Sequence, residues 1–401
     1  MDSNISELPG KEKEMNIDFS IVIPTWNRKE CVKEMLRTLY DDRQVYEYGS
    51  TEVLIVDSSI GEEQRVIKEA CQKYDARYID GVDSVRKKRN KGIMEAKYDY
   101  IFFIDSDVVI QKGMLNEHAK VYLNSQKENL GGVFGVTEFY GKKSFLWKII
   151  DYSNYTFAFE QAKKYPYASW TIGNNVSFVK QVLLDIGMFE ENLPFKLGGD
   201  DMDLSFRVVK SGHPIKCTSK AITYHSRETW NSTKALNDRT RRWGTMEYYN
   251  AKRHPENIKT TLPSLVLIAI ITTLFMLFAA LITGNMLPLA LQGIFLAGVW
   301  ITGYLCDAKK SGKYNLFFYS LAKLIAIKYA FYKFRECCRK RDFSVWNKIM
   351  IFNEGHAKAE FTERSRKLTI SLCLFIFLVV VVVVLRFFVS FDVFQVYGGI
   401  L

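Results

Sequence analysis

Residues 18–110 alternate short, continuous apolar runs with polar stretches that carry apolar residues at helical spacing. Phe19-Ser20-Ile21-Val22-Ile23 reads as a buried strand stopped by Pro24. Val53–Val56 and Tyr100–Ile104 read the same way, and each is followed directly by an aspartate. Between them, 29–40 and 61–74 have the periodicity of amphipathic helices. Strands without polar alternation, separated by helices, imply an α/β domain whose mostly parallel sheet is covered on both faces. In such sheets ligands bind off the carboxyl ends of the strands, and Asn27, Asp57, Asp105 and Asp107 all fall there.

The pattern changes after residue 255. From Thr260 to Cys306 no residue is charged, and as one helix these 47 residues would extend about 70 Å, more than twice the hydrocarbon thickness of a bilayer. Gly284-Asn285 lies near the middle, so two spans, about 262–283 and 286–305, joined by a tight hairpin are expected. A third uncharged run begins at Leu368 and contains six consecutive valines, giving a span of about 368–389 with Arg386 able to snorkel at its end. The division is then a polar tail (1–17), an α/β domain (18–255) and an α-helical membrane region (256–401). Within 315–334, Lys323, Lys328 and Lys333 recur about 140° apart on a helix and mark no single polar face. An interfacial helix is expected there, with a further crossing as the alternative.

Charge sets the orientation. Lys and Arg outnumber Asp and Glu by 55 to 44, a net +11, and the basic residues concentrate in 306–367. The positive-inside rule puts that loop in the cytoplasm, and with two spans before it the N-terminal domain is cytoplasmic too, in a multi-pass protein of the cell membrane. No nucleic-acid-binding motif stands out, so the excess charge suits an anionic membrane surface or a phosphate-bearing substrate. The first residues carry no apolar signal-like run. The seven cysteines form no CxxC or disulfide-like framework; Cys337-Cys338, flanked by basic residues, is either a pair of free thiols or an acylation site.

Asp105-Ser106-Asp107 follows an expected strand, and carboxylates two apart at a strand end can both approach one hard divalent cation. A solvated acidic turn has the same composition. Asp200, Asp201 and Asp203 precede the helical stretch Leu204–Lys210, where a carboxylate can cap the helix or favour its dipole. His225 follows the apolar Ala221–Tyr224 and is either a strand-end surface residue or a metal ligand.

Ser20–Arg28 resembles the opening strand and loop of the family 2 glycosyltransferases, which have the Rossmann-like GT-A fold with a mixed, mostly parallel sheet. Val56-Asp57-Ser58-Ser59, Arg89-Asn90-Lys91-Gly92, the DSD at 105–107, Gly173-Asn174-Asn175 and Gly198–Leu204 follow in the family's order, over about 18–230. The resemblance implies an inverting transferase that uses Mn²⁺ or Mg²⁺ and a nucleotide-sugar, with a UDP-sugar as the expected donor. Pro24, Thr25, Asn27, Arg28, Asp57, Arg89, Asp105 and Ser106 would then meet the donor nucleotide, and Asp107 and His225 the metal. Asp57 would accept a bond from the base, with capping the following helix as the alternative. Arg89 would meet phosphate, or lie on the surface in its basic run. Asp201 would be the general base, its pKa raised by Asp200 and Asp203. Asn174 and Asn175, with Arg242 and Trp243, are candidates for holding an acceptor or its phosphate. Arg239-Thr240-Arg241-Arg242-Trp243 is similar to the Arg-Trp motif of processive polysaccharide synthases, but Arg239 stands where that motif begins with Gln.

The expected function is transfer of one sugar to a membrane-presented acceptor, a polyprenyl-linked glycan or glycolipid, in cell-surface glycan or glycoprotein assembly. A processive synthase and a non-catalytic nucleotide-sugar-binding scaffold are the alternatives.

Overall fold

A computed structural model of the chain describes residues 16–153, 155–260, 265–284 and 286–351, together with residues 373, 377 and 380. The polar tail up to residue 15 and nearly all of the expected third span lie outside the described residues. Two compact units emerge: residues up to Lys143 with Thr156–Ser232, and Ser144–Tyr155 with the residues from Thr233 onward.

In the first unit the chain runs β1 (Phe19–Thr25), α1 (Lys29–Arg43), β2 (Thr51–Asp57), α2 (Gly61–Lys73), β3 (Arg77–Asp80), α3 (Val85–Glu95), β4 (Tyr100–Phe103), β5 (Val108–Ile110), α4 (Met114–Asn124) and β6 (Gly132–Tyr140). After α5 (Phe145–Ser153), which belongs to the second unit, come β7 (Tyr167–Ala168), β8 (Val176–Val179), α6 (Lys180–Asp185), α7 (Asp200–Lys210) and β9 (Ile215–Ser226). The sheet order is β3-β2-β1-β4-β8-β6-β9-β5, with β7 on β9. Strands β1 to β4 are mutually parallel where they pair, whereas β8 runs antiparallel to both β4 and β6. The expected α/β architecture is therefore a mixed sheet, parallel in the half that precedes residue 104.

Every residue of β1 is buried, as a central strand covered by helices on both faces requires. Its register pairs Thr25 with Asp57, and β2 pairs Asp57 with Asp80, so the chemistry-bearing loops leave one edge of the sheet together. On the other side β5 runs antiparallel to β9 and sets Val108 opposite His225, which brings His225 alongside Asp107. The loop into α4 is fixed from a distance. Asp42 of α1 accepts from the backbone N–H groups of Gly113, Met114 and Leu115 at the start of α4. Burial pushes its carboxyl up to about 6 in spite of those three bonds.

The second unit holds α5, α8 (Thr233–Arg253), β10 (Ile258–Thr260), α9 (Leu265–Thr283), α10 (Leu287–Ser311), α11 (Leu316–Lys340) and β11 (Lys348–Met350), with β10 and β11 antiparallel. Helices α9 and α10 fall on the first two expected spans. Leu287–Lys309 is long and apolar enough to cross a membrane, and only 6% of its most apolar stretch is buried within the protein, unlike a soluble core helix. Gln292 Nε2 donates to Thr272 Oγ1 at 2.8 Å and Thr273 Oγ1 at 3.0 Å, the polar fastening used between apolar helices. Helix α11 covers the stretch where an interfacial helix is expected. Its five-residue lysine spacing sends each ammonium to a different neighbour: Lys323 to Asp307 at 2.7 Å, Lys328 to Asn237 at 3.0 Å and Lys333 to Glu247 at 2.9 Å. Phe317, Leu324, Phe331 and Phe334 of the same helix are exposed.

Candidate active site

The loop after β1 turns through Asn27, whose φ of 50° lies in the left-handed region that Asn tolerates. Its backbone N–H donates to Ser59 Oγ at 2.8 Å, and Ser59 in turn donates from Oγ (2.7 Å) and from N (3.0 Å) to Asp57 Oδ1. Tyr78 OH donates to Asp57 Oδ2 at 3.0 Å. Helix α2 begins at Gly61 behind Ile60, so Asp57 fastens the loop and does not cap the helix. Beneath lies Lys88, buried, with Nζ on the carbonyl of Thr25 at 2.6 Å. Burial lowers its pKa and the nearby Asp57 charge opposes that.

Of the DSD residues, Ser106 and Asp107 are buried and Asp105 is half-exposed. The Arg28 guanidinium pairs with Asp107 Oδ2, while His225 Nε2 stands 3.6 Å from Asp107 Oδ1. His225 is not a surface residue. It is stacked on Phe139 at 5.5 Å and walled by Phe159 and Trp230. Its Nδ1 faces the Ser226 carbonyl at 3.3 Å, which favours the proton there and leaves the Nε2 lone pair toward Asp107. Asp105 is pushed up by burial, with Arg89 opposing and Asp107 adding to the rise. Among the described residues no three His, Cys, Asp or Glu side chains converge as a closed metal cage. One carboxylate and one imidazole do fit a cation that takes its remaining ligands from substrate phosphates and water, the usual habit of Mg²⁺ and open to Mn²⁺.

Arg89 links this end to the acids of α7. It is buried, with Nη1 on Asp200 Oδ2 at 3.0 Å and Nη2 on Asp105 Oδ1 at 3.2 Å and on the Gly173 carbonyl at 3.1 Å. The rings of Phe103 and Phe189 flank it at 5.9 and 5.3 Å. Thus the arginine expected at a phosphate, or alternatively on the surface, lies inside the protein bonded to two carboxylates. A Cβ at Gly173 would press on the Arg89 guanidinium and could be admitted only by moving it off its carboxylate partners.

Gly199, at φ 74°, precedes α7 as its N-cap, so none of the three aspartates occupies the cap itself. Asp200 accepts from Gly198 N at 2.7 Å besides Arg89. Asp201 accepts from Met202 N at 3.0 Å and from Gly173 N at 3.3 Å. Removal from water, then the Asp200 charge, pushes Asp201 up to about 7 against the pull of Arg89 and the two N–H bonds. Asp203 lies about 200° around the helix from Asp201. It is fully buried on Arg207, whose Nε donates to it at 3.0 Å, while Arg207 Nη1 and Nη2 bind the carbonyls of Ile186 and Met188. Asp203 therefore fastens α7 to the 186–188 turn and does not join Asp200 in raising Asp201.

Asn174 and Asn175 divide their work. Asn175 Nδ2 donates to the carbonyls of Val136 (2.8 Å) and Ala221 (3.0 Å), and its Oδ1 meets His118 Nε2 at 3.0 Å, a wholly structural set. Asn174 Oδ1 accepts from Thr137 Oγ1 at 3.0 Å, whereas its buried Nδ2 has no partner among the described residues.

The family profile described as "Glycosyltransferase like family 2" matches residues 16–245, more than half of the chain. This protein is a family 2 glycosyltransferase. It is 24% identical over 257 residues to a chondroitin synthase of Escherichia coli, a match covering 53% of this chain and 35% of that one. It is 26% identical over 216 residues to a poly-beta-1,6-N-acetyl-D-glucosamine synthase of Staphylococcus epidermidis, covering 51% and 49%. The chain thus spans half or less of the length of these relatives. Among solved structures, the mannosyltransferase PcManGT of Pyrobaculum calidifontis, in complex with GDP-Man and Mn²⁺, superposes with a TM-score of 0.52 at 15% identity, over 79% of this chain and 86% of that one. The first unit's mixed sheet is accordingly the GT-A fold.

In this transferase Arg242 and Trp243 belong to the second unit, on α8. Trp243 stacks on Tyr155 at 4.7 Å, and burial lowers the pKa of Arg242. Three site features were invisible in the pattern of residues. Tyr78 of β3 braces Asp57 from the neighbouring strand, His118 holds Asn175 from α4, and Arg28 in the loop after β1 pairs with Asp107 in the loop after β4. Each contact joins elements whose adjacency only the sheet order creates.

Proposed function

We propose that the protein moves a single sugar, with inversion, from a nucleotide-sugar (a UDP-sugar foremost) to a membrane-presented acceptor, a polyprenyl-linked glycan or glycolipid. The observation that carries this is the Arg89 bridge from Asp105 at the end of β4 to Asp200 at the start of α7. It holds the general-base candidate Asp201 next to the donor end of the sheet. Pro24, Thr25 and Asn27 shape the nucleoside pocket. Asp57, with three bonds of a carboxylate's roughly four acceptor positions in use, keeps one for the base. Arg28 at Asp107, partly exposed, is the cation for the phosphates, since the Arg89 donors are engaged inside the protein; Ser106 lies beside the ribose. Asp107 and His225 would hold Mn²⁺ or Mg²⁺, whose charge offsets that of the departing diphosphate. Asp201 takes the proton of the acceptor hydroxyl as its oxygen attacks the anomeric carbon. Asn174 Nδ2, lacking a partner, is suited to donate to a sugar hydroxyl. The exposed apolar residues of α10 and α11 support residence in the cell membrane, and the basic residues concentrated in 306–367 support a catalytic unit on the cytoplasmic side.

Incubating membranes that contain the protein with radiolabelled nucleotide-sugars, and reading product size and anomeric configuration, tests this. One added sugar of inverted configuration is expected. A long polymer would instead establish processive synthesis, the alternative that the similarity to chondroitin and poly-beta-1,6-N-acetyl-D-glucosamine synthases supports. Product with retained configuration overturns the mechanism.

The pH dependence is a further expectation. Asp201 accepts a proton only when ionised, so kcat should rise about tenfold per pH unit below its pKa of about 7 and level off above it. An acid limb that is absent across pH 5.5–8 (roughly the window that brackets this pKa) would exclude Asp201 as the base.

A further inference from the structure

We infer that Thr38 and Asp42 are positioning residues for the metal turn, and that α1 serves as a splint that sets where Asp107 stands against His225. The strand that leads on from Asp107 is weakly held by its own sheet. β5 has three residues and ends the sheet order, with β9 on one side and no strand on the other among the described residues. Gln111 N–H turns toward β9 and meets the Ile222 carbonyl at 3.2 Å. Ile110 N–H, one residue earlier, points away from β9, as the alternation of an antiparallel pair requires. It donates to Thr38 Oγ1 of α1 at 3.1 Å. The Thr38 hydroxyl is fixed as an acceptor, because its own proton is directed back along α1 to the carbonyls of Met35 (3.1 Å) and Glu34 (3.2 Å).

One turn further along the same face of α1, Asp42 takes over. It is 1% exposed and accepts from the N–H groups of Gly113, Met114 and Leu115, which α4 cannot satisfy because its own cap is a glycine. Asn116 closes the clamp with both amide atoms: Nδ2 donates to the Val45 carbonyl at 2.8 Å, and Oδ1 accepts from Glu47 N at 3.1 Å. Just ahead of α1, Arg28 pairs with Asp107 itself. The contacts therefore run in step, from Arg28 to Glu47 on one side and from Asp107 to Asn116 on the other. What they fix is a gap between separate segments. β5 sets Val108 opposite His225, so a slip or fraying of β5 changes the 3.6 Å between Asp107 Oδ1 and His225 Nε2. Metal ligands must stand within about 0.2 Å of their proper distances, so such a change is felt by a bound cation. This consequence for the metal rests on the proposed roles of Asp107 and His225; the splint itself does not.

The test uses the full chain in detergent. Thr38→Val keeps the shape and removes the acceptor, Thr38→Ser keeps the acceptor, and Asp42→Ala removes the clamp on α4. Each is compared with the parent for Mn²⁺ affinity in the presence of UDP, uridine affinity, Tm, and hydrogen exchange of segments 104–112, 221–227 and 51–60. Thr38→Val should weaken Mn²⁺ roughly 3- to 10-fold, the share of one hydrogen bond, and Asp42→Ala at least as much. Thr38→Ser should restore the parental affinity, and uridine, expected at Asp57, should bind all four proteins alike. Exchange should quicken in 104–112 and 221–227 and stay unchanged in 51–60. A merely structural role would lower Tm and leave the Mn²⁺ affinity of the folded protein untouched, and that result overturns the inference. An equal loss of uridine binding overturns it too, since it marks general loosening. Should Asp42→Ala fail to fold, Thr38→Val and its serine control decide the matter. If the parent binds no Mn²⁺ while Thr38→Val still quickens exchange in 104–112 and 221–227, the splint stands and the metal assignment falls.

Discussion

Asp201→Asn should transfer sugar roughly 10²–10⁴ times more slowly than the parent while binding the donor nucleotide as tightly, the ordinary consequence of losing a general base. The substitution keeps the shape of the side chain. Its remaining oxygen still accepts from Met202 N, the shorter of the two backbone bonds, and the new amide nitrogen is left against Gly173 N. That mismatch costs about 1 kcal/mol locally and leaves Arg89, Asp105 and Asp107 in place. A rate loss with intact affinity therefore reports the missing proton acceptor. Asp203→Asn has the opposite signature, because it weakens the buried Arg207 pair that ties down the 186–188 turn. It should lower stability more than it lowers the rate of the remaining folded enzyme. If Asp201→Asn turns over at the parent rate, the base is another group, and Asp200, already bonded to Arg89 and Gly198, is the next to examine.

Asp107→Ala should abolish transfer and weaken nucleotide binding together, and EDTA should do the same to the parent reversibly, with Mn²⁺ or Mg²⁺ restoring it. Asp107 pairs with Arg28 and stands 3.6 Å from His225 Nε2. Without cations, Asp105 and Asp107 present like charge to an incoming diphosphate, an interaction that is unfavourable by several kcal/mol in a site shielded from water. Alanine also frees Arg28, so nucleotide affinity falls less than turnover. Full activity after exhaustive EDTA treatment would rule out the metal assignment. Loss of activity in Asp107→Ala alone would then mean that the carboxylate serves only to position Arg28.

Much of the architecture could be read from periodicity. Unbroken apolar runs at 19–23, 53–56 and 100–104 became β1, β2 and β4, because a strand covered on both faces has no polar side to display. The short β3 was missed for the converse reason: Arg77-Tyr78-Ile79-Asp80 is an edge strand with one buried residue, too little for a pattern. The start of α3 was hidden by its own composition, since Val85-Arg86-Lys87-Lys88-Arg89 looks like a solvated basic run. Three of those four basic side chains are in fact buried. Charge in a sequence announces a solvent-facing surface only when no partner waits inside, and the partners Asp200, Asp105 and the Thr25 carbonyl arrive from distant segments.

By itself, then, the sequence determined the α/β class, the acids at strand ends, the order of the motifs and the apolar helices after residue 260. These are local properties, set by side-chain periodicity and by which residues can end a strand or begin a helix. Only the tertiary structure decided which acid does what. Asp201 and Asp203 are chemically identical and two positions apart. Helix geometry sends one toward Gly173 and the other into the fold against Arg207, and burial beside Asp200 then lifts the first to about 7. The same holds for Arg89, one basic residue of a basic run, which found two carboxylates inside the protein. Burial and the partners that meet a charge are long-range facts, and the residue alone does not carry them.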